Sequence, residues 1–162
     1  MGELRALTVR QPWAGAIMWF GKDVENRTRP MSYRGPLLIH AILYEPDWHD
    51  FLTVRDIAMQ PVEWTDARRA RGVLLGTVEV TGCHHAEDCG ARDTRDGLRH
   101  LWRYCSPWRM PDQYHITLAD PRPLPEAIPC RGALGLWRLT GDTEVAVRGQ
   151  LAMLAGKTAG DA

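Results

Sequence analysis

Lysine is nearly missing from this 162-residue chain: eighteen arginines stand against two lysines, Lys22 and Lys157. Net charge is missing too, since twenty basic side chains cancel twenty acidic ones. A neutral molecule does not draw in a polyanion through its overall field, so any attraction to nucleic acid has to be local. No apolar run reaches the length that crosses a bilayer, and the N-terminus lacks the basic start, apolar middle and small-residue cleavage site of a secretory signal. The expectation is a protein without a membrane partner, in the cytoplasm. Four scattered cysteines, Cys83, Cys89, Cys105 and Cys130, are too few for a secreted disulfide framework and are expected to be reduced. The stretch "CHHAEDC" holds residue types that zinc favours, but its spacing matches no paired Cys-x2-Cys or His-x3-His pattern. It reads as a strand end followed by a polar loop, and no metal or other cofactor is expected.

What is present suits one domain of common size. "RALTVRQP" alternates as a strand, and Pro12 suits the first turn of a following helix. Trp13, Ile17 and Phe20 share one face of that helix, and Gly21 stands where a left-handed cap ends it. "KDVENRTR" is extended in character, with Asp23, Glu25 and Arg27 on one side by the two-residue period. "YRGPLLIHA" predicts a buried strand, and residues 45–71 a helical insertion in which Asp47 caps one helix and Pro61 opens a second. "GVLLGTVEVTGC" is the longest clear strand and is expected at the centre. A short helix is predicted around Leu98, Leu101, Trp102 and Cys105. Two strands, near Tyr114–Ala119 and Ala133–Leu139, are expected to flank a proline-punctuated connection. Beyond Gly141 a helix carrying Val147, Leu151 and Leu154 leads into a tail expected to be disordered. Strands outnumber helices, so the class expected is α+β with a small mixed or closed sheet.

The motifs "LTVRQPWAGAI", "GKDVENR", "YRGPLLIHA", "GVLLGTVEVTGC" and "IPCRGALGLWRL", in this order, resemble the ASCH (activating signal cointegrator homology) domain family. The resemblance runs from residue 4 to 139 and is interrupted at 42–72 and 84–111. It implies a PUA-like mixed β-barrel surrounded by short helices: a single domain over 1–141, then a C-terminal helix and flexible tail over 142–162. Members of the family are linked to RNA or DNA binding, to ribonuclease activity and, in one bacterial branch, to hydrolysis of acetylated cytidine. The partner implied is RNA or DNA, single-stranded or with an extruded base; a monomer is the working expectation, and the sequence names no protein partner.

Lys22 alone among the cations near the motif can be made to lose its proton by burial, which suits a phosphate contact, an oxyanion stabiliser or a general base. Glu25 is its nearest carboxylate, and the two are the catalytic candidates if the protein is an enzyme. The acetylcytidine-hydrolysing branch carries a nucleophilic threonine about where Glu25 stands here, and Thr28 is out of step, so the same covalent mechanism is not expected. Gln11 and Trp13 flank a helix start that favours an anion, and Trp13 offers a face to a base. Arg10, Arg27 and Arg34 are candidates for phosphate, and Tyr33 for a hydroxyl or stacking contact. His40, Tyr114 and His115 end or begin strands near the expected barrel mouth, and Trp108, between prolines, is a candidate wall or lid. The alternatives open at this point are a nucleic-acid-binding module, a ribonuclease or nucleoside amidohydrolase, and a small-molecule or protein-interaction domain.

Overall fold

The computed structural model describes residues 2–89 and 105–158. Strand β1 (Arg5–Val9) leads into helix α1 (Trp13–Trp19), followed by β2 (Val24–Arg27), β3 (Gly35–Ala41), α2 (Trp48–Ile57), β4 (Val73–His85), a 3-10 turn (Ala86–Asp88), β5 (Tyr114–Pro129), β6 (Leu136–Arg138) and α3 (Gly141–Thr158). The strands form one mixed sheet in the order β2-β5-β4-β3-β1-β6, in which only β1 and β3 run parallel. The sheet curls into a half-barrel with three helices, the α+β class expected.

Burial explains the curl. Leu37, Ile39, Leu75, Val80 and Ile116 point to one side and pack on α1 through Ile17 and Met18. Leu38, Leu74 and Ile128 point to the other, where Val147 of α3 covers them. β3 and β4 are thus apolar on both faces, which is why "PLLIHA" and "VLLG" read as unbroken apolar runs. Gly76 leaves room for the approach of β5: a Cβ there would meet the Arg122 carbonyl, the Pro123 backbone and Met18 Sδ.

Three elements depart from the sequence expectation. The region after Pro61 is not a second helix. It makes one turn, closed by Arg69 N–H on Thr65 O, and the Arg68 and Ala70 carbonyls beyond it accept from the Gln11 side chain. β5 runs sixteen residues, straight through the prolines expected to interrupt it. β2 pairs only as far as Thr117, so the outer edge of β5 beyond it needs no donors. Bulges also break its ladder to β4, and both circumstances tolerate proline. α3 reaches Thr158, further than the tail was expected to be ordered. The helix predicted around Leu98, Leu101 and Trp102 lies outside the described residues. No helix among the described residues is long and apolar enough to cross a membrane.

Candidate functional site

The end strands β2 and β6 do not pair with each other, and a cleft of about 730 Å³ opens between them. Leu7, Ile116 and Leu136 line it with apolar surface, and Arg5, Arg27, Arg29 and Tyr33 supply polar groups. Arg27 also spans the gap, donating from Nη2 to Thr8 O on β1 at 2.6 Å.

Behind Arg27 runs a line of buried charge. Gly21, at φ +73°, turns the chain after α1 so that Lys22 N–H returns to Ala16 O. The Lys22 side chain is then sealed inside, 4% exposed as a residue. Its Nζ donates to Val24 O and to Glu25 Oε2, the latter at 3.2 Å. Glu25 Oε1 lies 3.0 Å from Arg27 Nε. One carboxylate thus holds two cations, and of the three only Arg27 reaches the cleft wall. Burial pushes the Lys22 ammonium below its usual range, and Glu25 offsets part of that shift.

The other candidates are distributed around this line. Gln11 is 1% exposed and acts as a clamp: its amide donates to Arg68 O and Ala70 O while its oxygen accepts from Gly15 N. A donor of the α1 first turn that would face an anion is therefore already occupied. Trp13 is half-buried against the core. Arg10 lies over the Tyr44 ring, and Arg34 donates to Met31 O and Tyr33 O on the exposed side. Tyr33 donates to Pro36 O beneath Arg5, and its burial raises the phenol above its usual range. His40 is a core residue whose Nε2 meets Cys130 O at 3.1 Å, and burial lowers it. Trp108 was expected as a wall or lid, but it packs with Ala16, Phe20 and Val54 in the core. Its carbonyl accepts from Asn26 of β2. Tyr114 pairs with Arg27 across β2 and β5.

The ASCH domain model matches residues 7–123, most of the chain and all of its half-barrel except the first two residues of β1, the end of β5 and β6. The chain belongs to the ASCH domain family. Among solved structures it is similar to a mutant of the ZmASCH protein from Zymomonas mobilis, with a TM-score of 0.50 at 13% identity. That similarity covers 91% of this chain and 98% of the other and concerns the fold. No match was found among curated proteins.

The ASCH domain also gathers residues that the sequence did not bring together. His84, Cys89, Cys105 and His115 converge so that one ligand atom from each lies within 4.8 Å of all the others. "CHHAEDC" is therefore not merely a polar loop, because β4 continues through His85. His115, expected at the barrel mouth, is wholly buried in this cluster. The local signal lay in the residue types; the sheet register that sets His84 opposite His115 is not visible in a linear spacing.

Proposed function

We propose that this ASCH domain binds single-stranded nucleic acid, RNA foremost, and takes one nucleotide into the cleft between β2 and β6. The observation that carries the reading is the pairing of an apolar floor (Leu7, Ile116, Leu136) with guanidinium groups at Arg5, Arg27 and Arg29. Apolar surface and the Tyr33 ring suit the face of a base, and guanidinium suits phosphate. A volume of about 730 Å³ falls in the range of about 300–1000 Å³ usual for small-ligand sites. With net charge zero, such a local group of cations is what remains to attract a polyanion. Binding is favoured over hydrolysis because Lys22 and Glu25, the candidates for proton transfer, face each other and Arg27 behind the wall.

The test is fluorescence anisotropy with short single-stranded RNA and DNA across salt. Three phosphate contacts on a single strand predict a slope of log K against log salt near about −2. Arg27→Ala and Arg29→Ala are each expected to lower its magnitude by about 0.7, whereas Arg55→Ala on α2 should leave it alone. No binding at about 50 mM salt, or binding that ignores salt, overturns the reading. Incubation with acetylated cytidine is the second arm: turnover abolished by Lys22→Ala would favour the hydrolase instead.

A further inference from the structure

We propose that His84, Cys89, Cys105 and His115 form a closed, tetrahedral zinc site that is structural in role. The ligands come from separate segments: His84 from the end of β4, Cys89 just after the 3-10 turn, Cys105 from the chain that leads into β5, and His115 from the start of β5. Cys89 Sγ lies 3.1 Å from His84 Nε2, 3.2 Å from Cys105 Sγ and 3.1 Å from His115 Nδ1. Cys105 Sγ lies 3.2 Å from the same His115 Nδ1. Zinc bonds of about 2.3 Å to sulfur and about 2.05 Å to nitrogen put tetrahedral ligand atoms about 3.8 Å apart for S to S and about 3.5 Å for S to N. The four close pairs therefore need to open by about half an ångström to seat the ion, and the pairs of His84 with Cys105 and His115 lie within 4.8 Å.

Three further features fit. His115 Nε2 meets Met110 O at 2.8 Å, and a proton placed there leaves the Nδ1 lone pair facing the thiols, the outer-shell arrangement that orients metal-binding imidazoles. Two thiolates with two imidazoles match the Cys2His2 donor set of structural zinc, with no position left for water or substrate. The chain's other cysteines stand apart: Cys83 Sγ accepts from Met31 N–H, and Cys130 packs on the side of the sheet that carries Leu38, Leu74 and Ile128. A Cys–His nucleophile explains the cluster less well, since Cys89 is buried and the exposed Cys105 is packed against it, so that each thiol sits against the other.

The site has a structural consequence. Segment 105–113 supports β2: Ser106 Oγ donates to Asp23, Asn26 Nδ2 donates to Trp108 O, and Met110 N–H donates to Asn26 Oδ1. Zinc would fasten this segment to the β4–β5 hairpin and so hold β2, with Glu25 and Arg27, in place. The inference stands whether or not the cleft binds nucleic acid.

The test begins with metal analysis of the full chain purified in reductant, where one equivalent of zinc per chain is expected. Cys89→Ser and Cys105→Ser should lose it, while Cys83→Ser and Cys130→Ser should retain it. The wild type stripped by chelator and titrated with Co2+ provides a readout that does not depend on variants folding. One equivalent should give the intense visible bands of tetrahedral cobalt with sulfur-to-metal charge transfer. The proposal is overturned if the stripped, reduced wild type takes up neither Zn2+ nor Co2+, or if the control cysteine variants lose metal equally. A Cys89–Cys105 disulfide in protein kept under reductant would also overturn it.

Discussion

Replacing Glu25 by glutamine removes the one carboxylate that two cations share. Lys22 and Glu25 side chains are 3% and 10% exposed, so water does little to screen the cation left behind. Breaking a buried pair by removing one partner typically costs about 3–5 kcal/mol, and here Arg27 loses its partner as well. Lys22→Met should be milder. It relieves the burial of an ammonium and leaves Glu25 with Arg27, so the loss reduces to the Val24 carbonyl and part of one ion pair, about 1–2 kcal/mol. With a urea m-value of about 2 kcal/mol/M, the midpoint should fall by about 1.5–2.5 M for Glu25→Gln and by about 0.5–1 M for Lys22→Met. Tryptophan fluorescence and circular dichroism would follow both. The pH dependence adds a second check. Lys22 titrates below its ordinary 10.5 when folded, so between that lowered value and 10.5 the unfolded chain binds more protons and stability rises with pH. Glu25→Gln lowers the folded value further, so its penalty should be level between the wild-type folded value and 10.5 and should shrink with rising pH in the window below, between the two folded values. A Lys22→Met variant as damaged as Glu25→Gln, or a penalty flat across this window, would refute the shared-carboxylate argument.

Two further outcomes follow from buried polar groups away from the cleft. Gln11→Met keeps the volume but strands two carbonyls and the Gly15 N–H, so a loss of about 2–3 kcal/mol is expected in the same urea assay. His40 is held below its ordinary 6.5, so the unfolded chain takes up its proton first, and stability falls as pH drops from 6.5 to the lowered folded value. His40→Gln, which retains a donor toward Cys130 O, should remove up to about 1.4 kcal/mol per pH unit of that slope. An unchanged acid limb in melts of the two proteins would count against it.

Local chemistry made much of the half-barrel legible. The alternation in "ALTV", the Gly21 cap and the apolar run in "PLLIHA" each declare one element within its own few residues, and β1, α1, β2 and β3 stand where those signals put them. β5 was harder, because the penalty proline carries in a strand depends on whether the neighbouring strand needs its N–H. β2 stops pairing at Thr117, so Pro121, Pro123 and Pro125 pass without breaking the strand. Trp108 and Gln11 are similar cases: the first reads as a loop ring and the second as a helix-start donor until distant partners, Val54 for one and Arg68 for the other, are in contact. The cluster of His84, Cys89, Cys105 and His115 is the extreme example, since no two of its members have a recognisable spacing and only the β4–β5 register joins them.

The arrangement around residue 22 also accounts for a lysine where the chain otherwise chooses arginine. The bonds it makes lie two and three residues along its own chain, to Val24 O and to Glu25 Oε2, so a single nitrogen with rotatable donors reaches both from one point. A guanidinium carries its donors in a rigid, wider plane suited to bridging separated groups, and that is how Arg27 is used, with Glu25 at one end and Thr8 O at the other. The compact cation is buried and fixes the carboxylate; the planar one spans the cleft. On this division of labour the ligand would meet Arg27, while Lys22 acts through the position of Glu25. Lys22→Arg is therefore expected to disturb Arg27 and weaken binding in spite of its conserved charge, and RNA affinity unchanged in that variant would count against this role.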